Sequence, residues 1–291
     1  MRYEVRYRTS CRYRNPVPFA QHLIRLLPAN RPGQTIEQSS LAFEPSPAER
    51  HEERDFFGNR VAWVAFNTPH ATLDTQLEAR VDVQRIAPPP EQGSPGWEGV
   101  RDAAARWLEL AAASPLHFLF ASPRVSIFDG ARQHALHSFS PGRPVLEAAL
   151  EFARRIHGDF SYRPGSTDSA TDAVTAFAQK RGVCQDFSHV MIAGLRAIGL
   201  PAAYVSGFIQ TRPPPGRPRL EGADAMHAWT RLWCGPDLGW VDFDPTNAMM
   251  VGDAHIEVAV GRDYTDVAPI DGVVIAAGGQ SLVVAADVIA L

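Results

Sequence analysis

The chain has 291 residues, 45% hydrophobic and 21% charged, which is enough for one large domain or two ordinary ones with real cores. A net charge of −4 and a pI of about 6.2 exclude the basic footprint of a nucleic-acid-binding protein. The most apolar stretch, GVVIAAGGQSLVVAADVIAL at the end, is interrupted by Gly-Gly-Gln-Ser and an Asp, so it predicts a hairpin of buried strands and no membrane span.

The opening MRYEVRYRTSCRYRNP alternates polar and apolar residues without a long apolar run, which predicts no signal peptide. The odd set of cysteines, Cys11, Cys184 and Cys234, then predicts reduced thiols and a cytoplasmic location. Tyr3, Val5 and Tyr7 alternate with Glu4, Arg6 and Arg8, and Leu73, Leu77, Val81 and Val83 share a second period of two. HLIRLLP and VAWVAF lie between them, with FGNR as a hairpin turn. Residues 1–90 therefore read as an antiparallel β-sandwich, and APPPEQGSPG (87–96) as a linker.

Beyond the linker the period changes. WEGVRDAAARWLELAAAS and PVLEAALEFARRIHG predict amphipathic helices, and a shorter helix spans about 172–180. In GVCQDFSHVMIAGLRAIGLP, residues Phe187, Val190, Met191, Gly194, Leu195 and Ile198 make a buried helical stripe. Gly199 and Pro201 end that helix. AAYVSGF, HAWTRLW and WVDFDPT read as strands, with CGPDLG as the turn between the last two. TRPPPGRPRLEGADA (211–225) reads as a loop able to act as a substrate lid. Residues 91–291 thus predict a helix feeding an antiparallel sheet, an α+β pattern.

Cys184 opens the central helix, where unpaired N–H groups and the positive end of the dipole favour a thiolate. A cysteine nucleophile needs a base, and the base needs a third group to fix its tautomer. His227 opens one strand, and Asp242 and Asp244 lie on the next, two apart and on one face, so either carboxylate could hold the imidazole.

GVCQDFSH…LRAIGLPAAYVSGF, HAWTRLW and GWVDFDPTN, in this order, resemble the bacterial transglutaminase-like family, a branch of the papain-like cysteine enzymes. The N-terminal β module and the tail HIEVAVGRDYTDVAPIDGV resemble the same branch, which includes presumed cysteine proteases. The resemblance implies a triad of Cys184, His227 and Asp244, leaving Asp242 a supporting or solvent carboxylate. The activity it implies is acyl transfer on peptide or amide bonds through a thioester, hydrolytic if water is the acceptor and a transglutaminase if an amine is. That chemistry requires no metal or organic cofactor, and the expected partner is a peptide or protein substrate. Two readings of another class stay open: a binding module that docks a partner through the sandwich, or a subunit of an assembly with a silent Cys184.

Other candidates have plainer expectations. His189 is on the Cys184 helix but about 140° around it, so the two should not meet. Asp186 should complement the helix dipole. His134 and His137 should be surface residues, Cys11 and Cys234 inert, and Trp229, Trp233 and Trp240 sheet core, with one of them a possible wall of the acyl pocket. GRDYTDVAP should be a tight structural turn.

Overall fold

The computed structural model describes residues 1–87, 89–211, 226–275 and 278–291. The first region holds β1 (Arg2–Val17), β2 (Phe19–Ile24), β3 (Gln34–Glu44), β4 (Glu49–Arg54), β5 (Arg60–Phe66) and β6 (His70–Val83). Their alternation buries Tyr3, Val5, Tyr7, Leu73, Leu77, Val81 and Val83, as the period of two predicts. In the FGNR turn, Gly58 has φ +75°, and the Asp55 carboxylate accepts from the backbone N–H of Phe57 and Asn59 at 3.0 and 2.9 Å.

Helices follow: α1 (Trp97–Ala105), α2 (Asp129–Leu136) and α3 (Val145–Asp159). The first stops well short of the expected 114. Leu108 and Leu110 lie in solvent, so the segment after Ala105 has no apolar stripe to bury. A short parallel pair, β7 (Ser161–Tyr162) and β8 (Arg181–Gly182), brackets α4 (Ala173–Gln179), which Asp172 caps and Lys180 ends in the left-handed conformation. Next come α5 (Cys184–Ala197), β9 (Ala202–Ile209), β10 (Met226–Trp233), β11 (Trp240–Asp244), β12 (Met249–Met250), β13 (His255–Gly261) and α6 (Tyr264–Val267). These strands form one antiparallel sheet in the order β12-β11-β10-β9-β13. Helix α5 is enclosed on nearly every side, between this sheet and α2, α3 and α4. Apart from Thr211, the segment expected as a lid lies outside the described residues.

The tail departs from expectation. Strands β14 (Ile270–Ile275) and β15 (Gln280–Ala290) do not pair with each other as a hairpin, nor do they join the second sheet. β15 pairs with β1 from Tyr3↔Ala290 to Tyr13↔Gln280, and β14 pairs with β2. The sandwich is therefore two four-stranded sheets, β15-β1-β6-β3 and β14-β2-β5-β4. The tail strands are edges and not buried: Val273, Ile275, Leu282 and Val283 are exposed, while Ala286 and Val288 reach the core. Strands β1 and β2 had unpaired edges to offer, and backbone pairing there satisfies donors that side-chain pattern alone does not reveal.

Two amides fasten the sandwich to the second sheet. The Gln34 side chain donates to the Glu257 carbonyl and accepts from the Glu257 N–H, both at 2.8 Å. Asn59 makes the same two-point contact with Val260, again at 2.8 Å on each side. Each mimics a ladder partner on the outer edge of β13. Most buried apolar side chains of both regions form one contiguous core, and a smaller cluster gathers Phe118, Ala203, Val205, Trp229 and Val260.

Candidate active site

The GVCQD segment builds its own helix start. Asp186 reaches back, so that its carboxylate accepts from the Val183 N–H and from Thr167 Oγ1, each at 2.7 Å. A Cβ on residue 182 would lie 2.4 Å from that carboxylate, so only glycine admits the approach. Burial pushes the Asp186 carboxyl up, against those hydrogen bonds. This leaves Cys184 as the first helical residue, half-buried, with its backbone N–H in the turn that has no intrahelical acceptor.

His227 and Asp244 meet across the neighbouring strands. His227 Nε2 lies 2.7 Å from Asp244 Oδ2, with both residues buried. Burial works to strip the His227 proton, but hydrogen bonds with Asp244 and with Cys184, and their charges, prevail and raise the imidazole to about 10. With Nε2 committed to the carboxylate, Nδ1 is the ring nitrogen left for the Cys184 sulfur. Asp244 is also buried at a cost, yet hydrogen bonds from His227 and His255 hold its carboxyl well below the usual range. Its other oxygen, Oδ1, accepts from the N–H of Thr246 and Asn247 at 2.9 and 3.0 Å. Cys184, His227 and Asp244 are thus brought together.

Asp242 is committed elsewhere. It lies opposite Arg231 in the β10–β11 register and accepts from its Nε and Nη2 at 2.6 and 2.8 Å, and from the Trp229 indole at 3.0 Å. Arg231 continues to Glu257 at 2.6 Å. Burial acts to raise the Asp242 carboxyl, but the Arg231 charge lowers it on balance. Trp229 packs beneath this row because residue 207 on β9 is glycine: a Cβ there would lie 2.1 Å from the Ile256 carbonyl and 2.6 Å from the indole.

His255 was not among the sequence candidates. Its Nε2 is 3.0 Å from the same Asp244 Oδ2, and its ring lies 5.3 Å from that of Trp229. The only sequence signal was a histidine opening a strand beside a buried-looking run. His227, Asp244 and His255 place one donor atom each within 4.8 Å of one another, a spacing that metal ligands also have. The 2.7 and 3.0 Å contacts have hydrogen-bond lengths, and a carboxylate acceptor makes them when each imidazole donates from Nε2.

The remaining candidates sit apart. His189 is fully buried, and its Nε2 accepts from the Tyr264 N–H at 3.2 Å, which ties α5 to the GRDYTDVAP turn; burial lowers it to about 4. In that turn Asp263 caps α6 and also accepts from the Arg124 N–H at 2.7 Å. His134 is not a surface residue: it packs against Phe152, Phe160 and Phe177 and bonds Asp159 at 2.8 Å, whereas His137 is exposed. Phe152 of α3, Phe160 just after it and Phe177 of α4 supply that pocket. Cys234 is buried just past the end of β10 opposite to His227, and Cys11 is half-buried on β1, opposite Leu282. Trp229 and Trp233 are core, whereas Trp240 is half-buried and donates to the Ala113 carbonyl at 3.1 Å.

A helix with cysteine at its first residue, packed on an antiparallel sheet that carries histidine and aspartate, defines a cysteine enzyme of the papain-like and transglutaminase-like class. Family comparison agrees: residues 3–82 match the bacterial transglutaminase-like N-terminal region and residues 134–245 the transglutaminase-like superfamily core. The chain belongs to the bacterial transglutaminase-like family. An uncharacterized protein of Mycobacterium tuberculosis is 37% identical over 99% of this chain and 92% of its own length, and one of Mycobacterium leprae 30% over 99% and 98%. A protein-glutamine gamma-glutamyltransferase of Pseudomonas aeruginosa is 31% identical over 50% of this chain and 20% of its own length. The crystal structure of a "Putative Cysteine Protease" from Cytophaga hutchinsonii shares the fold, with a TM-score of 0.77, 22% identity, and coverage of 100% of this chain and 91% of that one.

Proposed function

We propose that this protein hydrolyses a peptide or amide bond by cysteine-dependent acyl transfer, with Cys184 as nucleophile, His227 as acid–base and Asp244 as the carboxylate that orients it. The observation that carries the reading is the buried 2.7 Å contact between His227 Nε2 and Asp244, made by an imidazole whose proton the neighbouring Cys184 also favours. The Cys184 thiolate adds to the substrate carbonyl carbon, and the oxygen gains a negative charge. The Cys184 N–H at the start of α5 is placed to donate to that oxygen, worth about 3 kcal/mol for one donor. His227 then gives the proton at Nδ1 to the leaving amine as the C–N bond breaks and the thioester remains. Water adds to the thioester, His227 takes its proton, and the acid leaves as the thiolate is restored. Asp244 keeps its charge throughout and holds the Nε2 proton on the ring.

The likeness to a protein-glutamine gamma-glutamyltransferase over half the chain favours a second acceptor, an amine in place of water. Both routes share every step up to the thioester.

The test is iodoacetamide alkylation followed by peptide mass spectrometry from pH 6 upward. Burial pushes the thiols of Cys11 and Cys234 up, which makes them internal controls. Cys184 should alkylate at least about tenfold faster than either at pH 6, and His227→Ala should abolish the difference. Equal rates for the three thiols would overturn the reading. An amide-substrate screen with and without added amine then separates the acceptors by product mass.

A further inference from the structure

Two imidazoles converge on one carboxylate oxygen. Asp244 Oδ2 lies 2.7 Å from His227 Nε2, 3.0 Å from His255 Nε2 and 2.6 Å from Asn247 Nδ2. The carboxylate cannot turn to favour one of them, because backbone N–H groups of Thr246 and Asn247 hold Oδ1. His255 is fully buried, and its Nδ1 has no hydrogen-bond partner among the described residues. A proton on Nδ1 would therefore be a buried unpaired donor, so the ring proton belongs on Nε2, aimed at Asp244.

We propose that His255 is a positioning residue for His227: it takes up part of the Asp244 charge through the shared oxygen and so keeps His227 acidic enough to protonate the leaving amine. This rests on the thiol chemistry proposed above. An acceptor oxygen divided among three donors binds each less strongly than it would bind one alone. Were His255 absent, His227 would face a more concentrated negative charge and hold its proton longer. The charged and titratable groups around His255 are few. Cys184 approaches through His227 from α5, His227 stands on β10, and Asp244 stands on β11. Arg85, after β6, donates to the His255 carbonyl at 3.4 Å, and Asp242 is already paired with Arg231. The neighbouring Trp229 indole carries no charge.

The experiment follows the pH–rate profile of Cys184 alkylation in the wild type, His255→Phe and His255→Gln. Phenylalanine keeps the packing on Trp229 without a donor, whereas glutamine restores an N–H. The upper inflection, where His227 loses its proton, should move up by about one pH unit in His255→Phe, the equivalent of one charge-assisted hydrogen bond, and return in His255→Gln. A merely structural histidine would change rates without moving the inflection. A reactive wild type with an unmoved inflection in His255→Phe overturns this proposal and leaves the thiol chemistry standing. An unreactive Cys184 in the wild type overturns both. Should His255→Phe fail to fold, imidazole nitrogen NMR of the wild type decides. Two Nε2–H protons, both displaced by Asp244→Asn, support the shared oxygen, and a His255 proton on Nδ1 alone overturns it.

Discussion

Asp244 gathers five hydrogen bonds on two oxygens, from Thr246 N, Asn247 N and Nδ2, His227 and His255, in a place water does not reach. Asp244→Ala would leave all five donors short at once, which should cost about 3–5 kcal/mol of stability. The pH dependence of that loss has a defined sign. The carboxyl of Asp244 is held low in the fold, so its contribution is full above about pH 4 and fades as pH falls further. His227 is held high, so its contribution is full below about pH 6.5. That contribution is lost as pH rises toward about 10. The melting-temperature gap between the wild type and Asp244→Ala should be widest between about pH 4 and 6.5 and narrow toward pH 10. A gap constant over that range would show that the loss is packing and not charge. Cys184, His227 and Asp244 stood out as candidates because each lies at or next to the end of an element inside a short motif, and the fold brings them together. The choice of Asp244 over Asp242 was not legible from spacing. The structure pairs Asp242 with Arg231, whose guanidinium stands opposite it in the strand register, and pairs Asp244 with His227. His255 was hidden because its partner is a carboxylate two elements away and not in any local pattern.

At the scale of elements, the periodicities located β1, β6, α3 and α5, since each buries a face that repeats along the chain. Periodicity could not say what covers an edge. The outer edge of β13 is closed by Gln34 and Asn59, two ordinary polar residues in the sequence whose side chains act as strand partners. Isolated amides of this kind carry no pattern. Replacing Asn59 with leucine would bury the Val260 N–H and carbonyl without partners, at about 1–3 kcal/mol for each group. Asn59→Leu should therefore lower the midpoint of urea unfolding by far more than a surface substitution does. Arg196 shows the same blind spot. A charged residue late in α5 is buried because the carbonyls of Phe120, Ala202 and Arg262 surround its guanidinium at 2.6–3.0 Å. Burial lowers it to about 9.

The whole molecule is closed by its last strands. Because β15 lies along β1 and β14 along β2, the end of the chain completes both sheets that its beginning opens, while the site is built entirely between them in sequence. Local pattern reads each strand but not its partner, and a pairing between residues 3 and 290 has no signature at short range. The consequence is testable by removing residues 270–291. The site residues would all remain, yet β1 and β2 would lose a neighbour along their length, and Ala286 and Val288 would leave the core. Since that core runs without a break from the sandwich to α3 and α5, the damage should not stay in the sandwich. The truncated chain should melt in a single transition at least about 5 °C below the full chain, followed by tryptophan fluorescence, and should associate through its newly exposed strand edges. A sandwich that melts early while the fluorescence of Trp229 and Trp233 holds to the original temperature would mean that the two regions fold apart. In that case the amide contacts of Gln34 and Asn59 would be docking contacts between separate units and no part of a shared cooperative core.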